Sequence, residues 1–258
     1  MFRTEHSEIV QKIVLAQDSK RLDFITQADW HESRTMLRVS FPVTVRSEKA
    51  SYDIQYAYVE RAAHENTSWD QAKFEMCGQR YADLSDQNCG AALLNDCKYG
   101  YCVKHSTLDL ALLRSSLYPD RFADQGKHEF TYSFLPHAGN LSESEVMKEA
   151  ANLNRTPFIA DGFASIAENM PFRLVSDGIA LEVVKRAEKD DSLILRLAEF
   201  RGQHSAGTLH FASKPARVRE TDLMEWNDGK RLAVTGNRLP LELEPFEILT
   251  LRAVFPEQ

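Results

Sequence analysis

A chain that breaks bonds by itself must bring together a nucleophile, a base and a group that orients them. Eight histidines are available: His6, His31, His64, His105, His128, His137, His204 and His210. No two have the H-x-x-x-H or H-E-x-x-H spacing of a helical zinc site. The sequence has no G-x-S-x-G elbow, no Walker loop and no dinucleotide fingerprint. "DWHE", residues 29–32, clusters Asp29, His31 and Glu32. In an extended strand Asp29 and His31 share a face while Glu32 faces away, so the three cannot converge on one metal. The favoured reading there is an ion pair at a strand end.

Two further stretches combine polar and aromatic residues. "HENTSWD" (64–70) sets His64, Asn66, Thr67 and Ser68 before Trp69 and Asp70, and "NDCKYG" (95–100) sets Asn95, Asp96 and Lys98 before Tyr99 and Gly100. Sugars present hydroxyls and a weakly apolar C–H face, so a sugar site wants hydrogen-bonding side chains beside an aromatic ring. The same residues also make ordinary turns, with the indole as a core plug. Composition leaves both readings open for the first stretch and favours the plain turn for the second.

Strands must position these loops. Leu22, Phe24, Thr26, Ala28 and Trp30 fall on one face of "RLDFITQADW". The same alternation places Leu108, Leu110 and Leu112 together, then Phe130, Tyr132 and Phe134, then Leu239, Leu241 and Leu243. Period two with one apolar face predicts antiparallel sheets packed on a core, and many such strands predict an all-β sandwich. "LSESEVMKEAANLN" departs from that pattern. Ser142 with Glu145 reads as a capping box and Leu141 with Val146 as a hydrophobic staple, predicting one short helix near 143–153 with a cap worth about 1 kcal/mol. "IALEVVKRAEKDDSLILRLAEF" reads as a hairpin turning at "EKDDS", with Arg196 paired to Glu199 or Glu182. Between Asn154 and Gly178 the pattern dissolves, which predicts a large sandwich domain over 1–175 and a smaller C-terminal β unit over 176–258 packed on it.

Bulk properties narrow the partners. The 258 residues carry 31 Lys plus Arg against 38 Asp plus Glu, a formal charge of −7, which argues against nucleic acid and anionic membrane as partners. No apolar run reaches membrane-span length, and "MFRTEHSEIV" has no apolar signal region. Cys77, Cys89, Cys97 and Cys102 form no C-x-x-C. Scattered thiols suit a reducing, cytoplasmic compartment.

Several long stretches, "RLDFITQADWHESRTMLRVSFPV", "IQYAYVERAAHENTSWDQAKFE", "RYADLSDQNCGAALLNDCKYGY" and "HEFTYSFLPHAG", resemble the C-terminal region of family 38 glycoside hydrolases, the α-mannosidases, in their cytosolic and bacterial branch. The likeness runs over nearly the whole chain. It departs at Ala62, Ala63, Tyr81 and Ala198. The resemblance implies a galactose-mutarotase-like super-sandwich. It also implies a longer protein, in which an N-terminal barrel supplies nucleophile, acid/base and zinc for retaining hydrolysis of α-mannosides and a helical domain follows.

On that reading this chain holds no catalytic residue, metal or cofactor of its own and is inactive alone. Its partners are α-mannoside glycans and the barrel and helical domains, with a homo-oligomer also conceivable. "HENTSWD" takes the place of a loop that closes the mannoside pocket. His64, Asn66, Thr67 and Ser68 are then substrate-binding, Asn95, Asp96, Lys98 and Tyr99 contribute from a neighbouring loop, and Trp69 and Asp70 anchor. A surface shaped to bury against the barrel leaves an apolar patch near the N-terminal strands. The rival readings are an independent carbohydrate-binding module and an aldose epimerase-like sandwich, the latter needing a histidine acid and a glutamate base, with His64, His128 and His137 available.

Overall fold

Alternating apolar residues become sheet faces across the molecule. The computed structural model describes residues 1–155 and 170–256. Two compact units divide the chain, residues 1–157 and 158–258. Much of the expected linker lies outside the described residues. The expected division after residue 175 moves toward the N-terminus, because strand Phe172–Val175 hydrogen-bonds to Ser205–Phe211 inside the second unit.

The first unit is a sandwich of antiparallel sheets. Its larger sheet has eight strands, ordered Phe2–Arg3, Glu8–Leu15, Leu22–Trp30, Gly126–Ala138, Cys89–Asn95, Tyr81–Ser85, Lys49–Ile54 and Ala57–Ala62. The facing sheet runs Met36–Pro42, Thr107–Arg114, Gly100–Lys104 and Met76–Cys77. Between them Phe24, Ala28 and Trp30 meet Leu108, Leu110, Tyr52, Tyr101 and Phe130 in one buried cluster. Each fully buried leucine there contributes roughly 2 kcal/mol of transfer free energy. Trp30 lies in the core with its indole N–H donated to the Ser115 hydroxyl.

The predicted helix covers the other face of the large sheet. It spans Val146–Asn154 and follows a 3-10 turn over Leu141–Glu143. The capping box does not form. The intervening turn draws the Ser142 hydroxyl to Asn140 Oδ1 at 2.8 Å, and Asn140 accepts from the Glu143 amide. The Ser144 hydroxyl accepts from the Val146 amide at 3.2 Å instead. Leu141 and Val146 are both buried, but the helix begins at Val146 with Glu145 as its N-cap, so they do not hold the N′ and N4 positions of a staple. Arg21 ties the helix to the sheet, donating to the Glu149 carbonyl and carboxylate at 3.0 Å each and pairing with Asp23 at 2.7 Å.

The second unit packs a three-stranded sheet (Phe172–Val175, Ser205–Phe211, Arg238–Leu243) on a five-stranded one. The latter runs Ile179–Arg186, Leu193–Glu199, Ile248–Val254, Arg217–Thr221 and Asp228–Leu232. The expected hairpin is its first strand pair. Leu239, Leu241 and Leu243 face the core as their alternation predicts. Arg196 does not take Glu199, three residues away and therefore on the opposite strand face; it donates to the Thr250 hydroxyl and the Leu223 carbonyl at 3.3 Å each. Glu199 instead accepts from the Arg201, Gly202 and Phe246 amides.

Candidate functional site

The 64–70 loop is held from within. Ser68–Gln71 forms one helical turn capped by Thr67, whose hydroxyl accepts from the Asp70 amide at 3.1 Å and donates to Asp70 Oδ2 at 2.7 Å. His64 Nδ1 approaches the same carboxylate at 3.7 Å and Lys73 lies 3.6 Å from its other oxygen. The Thr67 hydrogen bond, with Lys73 and His64 nearby, holds the Asp70 carboxyl below its ordinary range. Glu65 anchors the loop to the neighbouring strand turn, meeting Lys104 Nζ at 2.6 Å and His105 Nε2 at 3.3 Å. Asp70 thus holds the turn together from within.

Trp69 is placed differently. Its side chain is 81% exposed, standing beside the exposed Asn66 and Ser68. The turn Ser68–Gln71 buries none of its side chains, so the indole stands outside the core. Thr67 spends its only donor on Asp70, which leaves Asn66 and Ser68 as the loop's outward donors. His64 is half-buried, and its Nδ1 accepts from the Asn66 amide at 3.4 Å. A rigid turn presenting an indole, an amide and a hydroxyl can bind a sugar face.

The 95–99 loop is built differently. Asn95 is 1% exposed. Its amide nitrogen donates to the Gln79 carbonyl at 3.0 Å and to the Tyr101 hydroxyl, and its oxygen accepts from the Cys97 amide at 2.9 Å and the Lys98 amide. Every valence is used inside the fold, so the expected substrate contact at Asn95 is corrected to a structural one. Asp96 accepts from the Thr131 amide at 2.8 Å, and the Lys98 ammonium lies 4.4 Å from the Phe130 ring centre. Tyr99 is exposed. The loop is not a neighbour of the 64–70 turn: Tyr99 precedes strand Gly100–Lys104 while Glu65 grips its far end, roughly 15 Å away at about 3.3 Å per residue.

The remaining expected chemistry is placed as follows. Asp29 and His31 pair at 2.8 Å, while Glu32 accepts from Thr4 and Ser7. His128 Nε2 contacts the Asp124 carbonyl at 2.9 Å. His137 Nε2 lies 2.7 Å from Asp83 Oδ2, both side chains buried. Burial pulls the His137 pKa down, but the hydrogen bond and charge of Asp83, with backbone contacts at Ala138 and Gly139, together leave it raised. An open groove of about 550 Å³ next to this pair is lined by Ser51, Glu60, Asp83, Ser85 and Ser142 among others. Of the acids lining it, Asp83 is engaged by His137 and Ser85, Glu60 by Lys49, and Asp86 by the Asn88 and Cys89 amides. Among the described residues no group of three or more His, Cys, Asp or Glu could hold a metal ion.

Sequence reading missed one exposed cluster, Leu117, Tyr118 and Phe122. These residues sit in the turn-rich "SSLYPDRFADQG", which is tied back by Asp124 accepting from the Arg114 amide at 2.6 Å. The aromatics between turn formers were its only signal.

The fold and these loops define a β-sandwich protein with exposed polar and aromatic turns. Models of the family 38 glycosyl hydrolase C-terminal domain and C-terminal beta sandwich domain match residues 1–122 and 178–251. The chain belongs to glycosyl hydrolase family 38 and carries its C-terminal domains. It is 41% identical over 256 residues to Alpha-mannosidase 2C1 of Homo sapiens, covering 96% of this chain and 24% of that protein. Alpha-mannosidase G of Dictyostelium discoideum is 36% identical over 258 residues, with the same shares covered. The chain therefore spans about a quarter of the length of these curated relatives. A family 38 protein from Enterococcus faecalis superposes with a TM-score of 0.77 at 22% identity, covering 96% of this chain and 30% of that one. An alpha-mannosidase from E. faecalis V583 gives 0.72 at 23% identity, covering 96% and 29%. Both likenesses concern the fold.

Proposed function

We propose that this chain is the C-terminal part of a retaining α-mannosidase, and that its 64–70 turn shapes and closes a mannoside pocket completed by an upstream catalytic domain. Relatives named as α-mannosidases support the activity. The single observation that carries the loop's role is Trp69, 81% exposed on a turn locked by Thr67 and Asp70, with Asn66 and Ser68 pointing outward beside it. Retaining hydrolysis uses two carboxylates about 5 Å apart across the scissile bond. On this reading they lie upstream, together with the zinc that would grip sugar hydroxyls. What this chain supplies is orientation and exclusion of water. The reading places the protein in the cytoplasm, where its four free thiols stay reduced.

An aryl α-mannoside assay tests this. The chain alone is expected to be inactive, and activity is expected when the upstream domain is supplied with zinc. In the complete enzyme, Trp69→Ala, Asn66→Ala and Ser68→Ala each lower activity and change stability by less than about 0.5 kcal/mol, as surface substitutions do. Turnover by this chain alone, or full activity in all three variants, would refute the proposal. Exposed Trp69 also suits an independent sugar-binding module. Heat on titrating mannose into the isolated chain would favour that second reading.

A further inference from the structure

The outer face of the five-stranded sheet carries an arrangement unrelated to the 64–70 turn. The strand register sets Arg252 opposite Arg219, and Arg219 opposite Arg231. Directly opposed residues in an antiparallel pair share a face, with Cβ atoms about 4.5–5.5 Å apart. Val218 and Ala253, one residue along from Arg219 and Arg252, point into the core, so the three arginines stand in a row on the other face. Like charges so placed repel.

Only one end of the row is neutralised. Arg252 meets Asp190 at 3.2 Å and Asp228 at 3.0 Å, and donates to the Glu225 carbonyl at 2.8 Å. The Glu225 carboxylate turns away to Lys185 at 2.8 Å. Arg219 and Arg231 have no carboxylate partner among the described residues. Arg219 Nε is shut off from water without any hydrogen-bond partner. A solvated basic stripe would keep that N–H wet; here the folded chain bears the whole desolvation of the donor. Arg217 lies two residues from Arg219 on the same strand face, close enough for its charge to act on Asp190. Asp190 and Asp228 pair with Arg252, and Glu225 with Lys185 beside it, so the row's two charges left without a paired carboxylate are those of Arg219 and Arg231.

We propose that Arg219 and Arg231, flanked by Arg252, bind a tetrahedral dianion: a phosphoryl group, free or carried on a small molecule. The guanidinium fork matches phosphate oxygens in pairs, and a dianion cancels the two unpaired charges, which a single carboxylate would leave half uncompensated. Binding neutralises the unpaired guanidinium charges and relieves the repulsion between the opposed side chains.

Calorimetry and thermal melts of the 258-residue chain with inorganic phosphate and with a hexose 6-phosphate, at ionic strength matched by sodium chloride, test the site. Saturable one-to-one binding is expected, weakened at least about tenfold by Arg219→Gln and by Arg231→Gln. Arg231 is exposed, so Arg231→Gln folds; it should raise the phosphate-free melting point while abolishing the further rise caused by phosphate. Tighter binding of the sugar phosphate assigns the phosphoryl group to a sugar-borne ligand, and equal binding assigns it to free phosphate. Absence of saturable heat, a melting shift that chloride alone reproduces, or binding unchanged in both variants overturns the proposal.

Discussion

Replacing Asp83 by asparagine should destabilise the first unit in a pH-dependent way. The Asp83 and His137 side chains are 1% and 6% exposed and lie 2.7 Å apart. Removing one partner of a buried charge pair costs about 3–5 kcal/mol. Asparagine keeps an oxygen that can accept from Ser85, now 2.6 Å from Asp83, so a loss of about 3 kcal/mol is expected where His137 is protonated. Burial lowers the His137 pKa, and Asp83, helped by backbone contacts at Ala138 and Gly139, more than restores it. Its folded pKa is therefore above the unfolded value of about 6.5. The stabilisation from protonated His137 is fully present below that unfolded value and is lost as pH rises through the folded one. In Asp83→Asn, burial is opposed only by the backbone contacts at Ala138 and Gly139, and the contribution from Asp83 disappears. Urea unfolding from about pH 5.5 to pH 9, followed by fluorescence of the buried Trp30, measures the gap between parent and variant. The gap should be widest at acidic pH and narrow as pH rises. A gap that is flat over this range, or widens toward alkaline pH, would refute the assignment of a charged pair.

Asn95→Ala should cost about 2–3 kcal/mol in the same assay, because it strands the Gln79 carbonyl, the Tyr101 hydroxyl and two loop amides; a loss under 0.5 kcal/mol would restore Asn95 as a surface residue. Ile13 and Leu15 are 60% and 63% exposed on the core-side face of strand Glu8–Leu15, opposite Phe24 and Leu22, where an apolar patch was expected. Ile13→Lys with Leu15→Glu should abolish hydrophobic dye binding and any concentration-dependent growth in size seen by light scattering; unchanged dye binding would place the sticky surface elsewhere.

Burial was legible wherever it repeats locally. Leu22 to Trp30 and Leu239 to Leu243 alternate, and a strand sends every second side chain to one face, so the buried row could be read directly. The helix was legible in existence and displaced at its start, because Asn140 and Ser144 took the capping duties that spacing assigned to Ser142. The candidate site was legible only as two polar, aromatic-tipped turns.

Which of those turns faces outward was decided by segments distant along the chain. Asn66 and Asn95 are the same residue type in similar company, yet Asn95 is sealed by Gln79 and Tyr101 while Asn66 is exposed. Trp30 and Trp69 divide likewise, one inside the sandwich and one in solvent. The arginine row depends on strand register, with a bulge between Arg219 and Thr221, and register is invisible in composition. The sequence by itself determined an all-β chain, because alternation is a property of neighbouring residues, while its long ordered motifs carried the resemblance to family 38. Tertiary structure alone decided which polar groups are spent and which remain available, because a hydrogen-bond partner is whatever the fold brings within about 3 Å.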